Sequence, residues 1–380
     1  MKILLVAIPN HHFFQWTNQL KESGHEVYWF DITDGAGFVD KINWVKQFNG
    51  WKLKWNYPFR YKIKKHFVKL HLLLEKITVN TTETVFENII SEIQPDVVHC
   101  FEMQLAGLPI LSVMYNNTIP FAYSSWGSDL FDYQNLGVTI SQIKSFLDRV
   151  DYLITDCNRD FKIAQKLGFA NDFMGVFPGN GGIEIETSYI QTVSSRKTIC
   201  IKGYEDGVGK ALLVLKAIES IQLDNSIDFL IFSADDKVEH YIKNSDYFKL
   251  KKVEIISRNS FLTNKFLLQK LGSCLVYIGN SGSDGMPNSL LEAMGMGVFP
   301  IQSNPGNVTE EVITNTINGY LIQNPDDVSE IAYHIMNSFK NETLLENSKK
   351  QNVKFISEHY NRDELKDKIV SLYKTILKSN

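Results

Sequence analysis

The chain has 380 residues, 44 % hydrophobic and 22 % charged, which excludes a disordered or fibrous protein and is too long for one ordinary core. Its formal charge is only −4, yet nine Lys or Arg, one acid (Glu75) and eight aromatics crowd residues 44–76, so that segment carries +8 and the remainder −12. Cys100, Cys157, Cys200 and Cys274 lie far apart, with no CxxC pair and no His cluster at metal spacing, so buried reduced thiols are expected and no metal or other cofactor.

Residues 1–8 open with one Lys and a short apolar run that Pro9, His11 and His12 soon interrupt. This is too short for a signal-peptide core, and no stretch approaches the ~18 apolar residues of a membrane span, so a cytoplasmic protein is expected. "KILLVAI" (2–8), "HEVYWFDI" (25–32), "PDVVHCF" (95–101), "PFAYSS" (120–125) and "DYLITD" (151–156) read as buried strands separated by amphipathic stretches, the pattern of a parallel sheet with helical crossovers. His11 and His12 follow a strand end and are candidates for an acceptor side, or ordinary surface histidines. His99, inside a strand, reads as a satisfied core residue.

Between the first two and the later strands lies the basic segment. Phe59, Ile63, Phe67, Leu70 and Leu74 recur at helical spacing, with Lys62, Lys65 and Lys69 off that stripe and Trp44, Trp51 and Trp55 upstream. The stripe either packs on the first domain's own core or lies on an anionic membrane surface, which would make the protein peripheral. Nucleic acid would also suit the charge, but is not the expected partner.

At 178–197 Pro, three Gly and a polar run break the alternation, which places the domain boundary there. "TICIKG" (198–203), "DFLIFSA" (228–234), "VEIIS" (253–257), "CLVYIG" (274–279) and "VFPIQS" (298–303) then form a second strand set. The expectation is two doubly wound α/β domains, 1–180 and 181–358. A last helix in 359–380, with Leu365, Ile369, Leu372 and Ile376 on one stripe, returns to the first domain. In such sheets ligands bind outside the carboxyl ends of strands.

Two turns of the second set carry candidate chemistry. "IKGYEDGVGKALL" (201–213) is strand, Gly-rich turn and helix, but Gly203 to Gly209 is one residue too long for a P-loop and Ala211 stands where Ser or Thr would bind magnesium. Lys202 and Lys210 flank the turn and either offset a diphosphate or are ordinary surface lysines. "SDGMPNSLLEAM" (283–294) follows the strand 274–279, with a helix starting near Pro287. Backbone amides of Gly285, Met286, Pro287's neighbours Asn288 and Ser289, and Leu290 would face an anion there. Asp284 either forms an Asx turn or accepts from sugar hydroxyls. Glu292, in the helix, is either a solvated acid or a partner for ribose hydroxyls. Asp235 and Asp236 of "SADD" read as a helix start rather than a metal pair, and Arg258 in "SRNS" (257–260) as bordering a base.

The stretch "SDGMPNSLLEAMGMGVFPIQSN" resembles the acid-x7-Glu signature of retaining glycosyltransferases of family 4, which have the GT-B fold. "PDVVHCF", "SSWGSDLF", "FPGNGG", "IKGYEDGVGKAL" and "NGYLI" fall in the family's order along nearly the whole chain. The resemblance implies a nucleotide-sugar donor, with Glu292 on its ribose, Asp284 and the following amides on its transferred sugar, and Lys202 with Lys210 on its diphosphate. It further implies two Rossmann-like domains facing a cleft, the first binding a glycan or lipid-linked acceptor. The sequence departs from the family in carrying Asp rather than Glu at 284, a more widely spaced basic pair, "IPNHHFF" where a Gly-rich turn is common, and Trp126 where a His is frequent. Asp129 is a candidate to substitute for that His. A non-catalytic accessory protein of the same fold and a nucleotide-sugar epimerase remain alternatives.

Overall fold

A computed structural model describes residues 1–55, 58–260 and 262–378. They form two compact units. The first comprises residues 1–156, 160–181 and the chain from 366 onward, and the second comprises 157–159 and 182–365.

The first unit holds a seven-stranded parallel sheet: β1 (Lys2–Ala7), β2 (Glu26–Asp31), β3 (Lys46–Phe48), β4 (Val97–Phe101), β5 (Phe121–Ser124), β6 (Tyr152–Thr155) and β7 (Asp172–Val176). Their order is β3-β2-β1-β4-β5-β6-β7, so the winding reverses between β1 and β4. β1, β4 and β5 are apolar almost throughout because helices cover both faces of the sheet, as a doubly wound topology requires. The second unit holds β8 (Thr198–Lys202), β9 (Asp228–Ala234), β10 (Val253–Ser257), β11 (Cys274–Gly279), β12 (Phe299–Ser303) and β13 (Tyr320–Ile322), in the order β10-β9-β8-β11-β12-β13. Here the reversal lies between β8 and β11.

Every strand expected from apolar runs is present. The three additional ones, β3, β7 and β13, are three to five residues long and sit at sheet edges, where pairing on one side alone supports a strand without a long apolar run. All four cysteines are buried and unpaired by disulfides. The helix Arg362–Lys378 passes from the second unit to the first, and Ile369, Leu372 and Ile376 are buried as its stripe requires. Tyr373 of this helix bonds His99 Nδ1 at 2.7 Å while Ser124 Oγ takes Nε2 at 2.8 Å. Burial pushes the His99 pKa down to about 3, so it is a neutral core residue.

One expectation is corrected. The basic segment, of which Asn56 and Tyr57 lie outside the described residues, does not bury a continuous stripe. Its helix breaks at Phe67 (φ −132°, ψ 61°) into Arg60–His66 and Val68–Thr78. Phe59, Phe67 and Leu70 are exposed and only Ile63 and Leu74 are partly covered. The break rotates the second helix, so a spacing counted through one helix does not describe either piece.

No helix among the described residues is long and apolar enough to cross a membrane.

Candidate active site

In the second unit the carboxyl ends of β8 and β11 part at the sheet's reversal, and the two expected turns open there. They are paired with each other. Gly209 bridges Ser281, the Lys210 amide donates to Asn280 O at 2.9 Å, and the Gly282 amide donates to Val208 O at 2.9 Å. The turn after β8 itself demands glycine at 209, where a Cβ would lie 2.6 Å from the Tyr204 carbonyl oxygen. Sequence spacing alone had placed Lys202 and Lys210 around one turn; the paired loops bring both to the other turn as well.

Lys202 Nζ lies 3.5 Å from Asp284 Oδ2 and 4.7 Å from the Tyr204 ring centre. Burial opposes its charge, but Asp284, Tyr277 and Tyr204 outweigh that and raise its pKa above the ordinary lysine value. It is a fixed cation. Lys210 Nζ reaches both carboxylate oxygens of Asp326 at 2.6 Å and also passes beside Gly282, where a Cβ would sit 3.9 Å from it. The two lysines thus bracket residues 282–284.

The helix Asn288–Gly295 starts at Pro287, whose carbonyl accepts the amides of Leu290 (3.0 Å) and Leu291 (3.2 Å). Met286 and Leu290 send their side chains into the core, which anchors the turn and leaves any ligand contact there to the backbone. Ser289 bonds the Tyr277 hydroxyl at 3.0 Å, and Gly285 is buried. Glu292 is buried and accepts from Asn264 Nδ2 at 2.6 Å. Burial pushes its pKa up to about 7, with Asn264 working against the rise. It is therefore not a solvated helix acid. A buried carboxylate with one neutral partner retains acceptor capacity for hydroxyl groups.

Arg258 is placed differently from a residue that simply borders a base. Its guanidinium reaches Asp206 at 2.9 Å and Asp235 at 3.2 Å and lies 4.0 Å from the Tyr204 ring centre, so it clamps the turn after β8. Asp235 stands at the start of the helix Asp236–Asn244, as "SADD" suggested, but its carboxylate accepts from Arg258 and the Glu205 amide rather than capping the helix. Arg159 was not singled out from the sequence. It donates to the Asp284 carbonyl at 2.8 Å and to the Pro305 carbonyl at 2.8 Å, while Glu311 accepts the amides of Asn158 and Arg159. Only chain folding brings 159, 284 and 311 together, and no local motif announces it. A separate cavity of about 320 Å³, lined by Ile183, Glu184, Tyr189, Lys265, Leu268 and Arg362 among others, includes none of the expected donor residues.

The first unit repeats the topology with other chemistry. At its β1/β4 reversal, His11 and His12 begin the helix His11–Gln19 and are exposed. Asp129 is buried, and its oxygens take the Tyr123 hydroxyl (2.6 Å) and the amides of Met103 (3.0 Å) and Trp126 (3.0 Å). Those three bonds tie the ends of β4 and β5 together. The Trp126 ring is half-buried, and its Nε1 has no hydrogen-bond partner among the described residues. Glu102, directly after β4, was missed. It adopts a left-handed φ of 74° and accepts from the Gln104 and Leu105 amides. Burial, and then the nearby Asp129 charge, push its pKa up to about 8. Its signal was a lone acid closing an apolar strand.

The model for glycosyl transferases group 1 matches residues 213–362, and that for the glycosyl transferase 4-like domain matches residues 2–157. The chain is a glycosyltransferase. No curated protein matches it in sequence. Its GT-B fold is shared with sucrose-phosphate synthase from Thermosynechococcus elongatus, at 13 % identity and TM-score 0.73 over all of both chains. A glycosyltransferase from Rickettsia africae superposes with TM-score 0.68 at 14 % identity over all of this chain and 99 % of that one. Anabaena HepE, solved with UDP and glucose, gives 0.65 at 11 % identity over 99 % of this chain and all of the other. At such identities these likenesses describe the glycosyltransferase's fold.

Proposed function

We propose that this glycosyltransferase moves a hexosyl or N-acetylhexosaminyl group, with retention of configuration, from a nucleotide-diphosphate sugar to a glycan or lipid-linked glycan acceptor. UDP-sugars are the first choice of donor and GDP-sugars the second, and the setting is cell-surface polysaccharide synthesis on the cytoplasmic side. The observation that carries this reading is the bracketing of residues 282–284 by Lys202 and Lys210, with a helix start beyond and Glu292 buried within that helix. HepE's binding of UDP supports a uridine donor.

In this reading the diphosphate lies against the two lysines and the amides of Gly285, Met286, Asn288 and Ser289, where positive charge and helix-terminal N–H groups favour an anion, while the expected Leu290 amide is taken by the Pro287 carbonyl. Glu292 accepts from ribose hydroxyls and Asp284 from the transferred sugar. The bond between the anomeric carbon and the diphosphate oxygen breaks, and the acceptor oxygen bonds that carbon from the same face. The acceptor proton passes to the departing phosphate oxygen. Lys202 and Lys210 stabilise the charge that grows on the leaving group, the task a metal performs elsewhere. Asp129 acts as a positioning residue for the β4 and β5 ends. Trp126, His11 and His12 belong to the acceptor side, carried by the first unit.

Melting temperatures with UDP-, GDP-, ADP- and CMP-sugars, in EDTA, test the reading. One donor class should stabilise the wild type and not Glu292→Ala. A folded wild-type protein that no donor stabilises would instead favour a non-catalytic protein of this fold.

A further inference from the structure

The helix Val68–Thr78 is turned the wrong way round for a helix that packs on its own protein. Its buried residues are His71 and Thr78, whereas Leu72, Leu73 and Ile77 are 54 %, 61 % and 65 % exposed. The next helix, Thr82–Ile93, shows the ordinary arrangement, with Phe86, Ile89 and Ile93 buried. Positions 69, 72, 73, 76 and 77 follow the i, i+3, i+4, i+7, i+8 rule and so share one face, which reads Lys, Leu, Leu, Lys, Ile. The C-terminal end of the helix is held by the chain before it, through an antiparallel bridge between Leu53 and Val79 and the Lys54 amide donating to Thr78 O at 2.9 Å.

The charge on this surface is of one sign. The segment's single acid, Glu75, is occupied by His71 at 3.2 Å and Arg60 at 3.7 Å. Lys62, Lys64, Lys65, Lys69 and Lys76 are exposed without an acid among the segment's own residues to balance them. We infer that the outer face of Val68–Thr78, with the basic helix Arg60–His66 before it, docks on an anionic lipid bilayer. A bilayer matches both features: apolar side chains enter below the headgroups, and lysines remain at headgroup level beside the lipid phosphates. Nucleic acid would answer the lysines but leave Leu72, Leu73 and Ile77 in water. A second copy seated on the same face would bring like charges together.

Co-sedimentation with vesicles of phosphatidylcholine containing 30 % phosphatidylglycerol, against pure phosphatidylcholine, tests the inference. The wild type should bind the anionic vesicles alone and be released by added salt. Lys69→Gln/Lys76→Gln should weaken binding roughly 25-fold, at about fivefold per lysine. Leu72→Ser/Leu73→Ser/Ile77→Ser should weaken it at least tenfold and make the free protein less prone to aggregate. These residues lie outside the donor site, so both variants should keep the wild-type melting temperature and whatever donor shift it shows, which separates this inference from the enzymatic reading. Absence of binding to anionic vesicles, or equal binding by the serine variant, would overturn it. So would a concentration-dependent sedimentation shift or duplex-DNA binding that the variants abolish while vesicles remain unbound.

Discussion

The two sheets reverse at equivalent places, between β1 and β4 in the first unit and between β8 and β11 in the second, but the side chains gathered there are electrostatic opposites. The second unit presents two lysines, each beside a carboxylate that a stronger anion can displace. The first presents two buried acids, Glu102 and Asp129, with no cation between them among the described residues, satisfied by amides and a tyrosine hydroxyl. Topology therefore decides where a ligand opening forms, and the residues at the strand ends decide what may enter it. A diphosphate suits the second opening, whereas the first, lined by two buried acids of raised pKa, offers it no positive charge from its own strand ends.

The largest expected break in that contrast is Lys202→Met. Losing a charge that stabilises the leaving group should lower kcat about 100- to 1000-fold. The folded state should survive, because Asp284 keeps partial solvent access. A rate within threefold of wild type would remove Lys202 from the chemistry.

The carboxylates differ in the pH at which they cost stability. Glu102 is favoured in its protonated form up to about pH 8, well above an ordinary glutamate. Its contribution is complete below the unfolded pKa and is lost as pH rises through the folded one. Glu102→Gln should thus gain on the wild type in melting temperature as pH rises from about 4.5, levelling off only above pH 8. Glu292→Gln should show the same sign but level off near pH 7, with a total change on the order of 3 kcal/mol. Melting curves at half-unit pH intervals check both, and two flat difference curves would show that neither acid is buried as described. Donor added at pH 8 should sharpen the difference, since it engages Glu292 alone.

The smallest effect belongs to Asp326→Asn. Its carboxylate is two-thirds exposed, so the pair with Lys210 is worth ~0.2–1 kcal/mol. Freeing Lys210 should tighten UDP binding by about two- to fivefold, read by calorimetry; weaker binding would mean that Asp326 orients the lysine rather than competing with the diphosphate.

Much of this was legible in residue order. Central strands of doubly wound sheets are buried on both faces and must be apolar runs, so β1, β4, β8 and β11 stood out, and a turn ending in Gly-Met-Pro marks its helix start by local chemistry alone. The short edge strands β3, β7 and β13 were not legible, because one-sided pairing imposes no such run. What the sequence by itself determined was the pair of αβ domains, the returning helix and the acid and lysine positions at strand ends, since each rests on interactions between near neighbours. Only the tertiary structure decided that Arg159 supports Asp284, that Glu102 and Asp129 share one buried site, that Arg258 clamps a loop, and that Leu72, Leu73 and Ile77 face outward. Those depend on contacts between residues distant in the chain, or on one break at Phe67 that rotates everything after it, and periodicity carries no record of either.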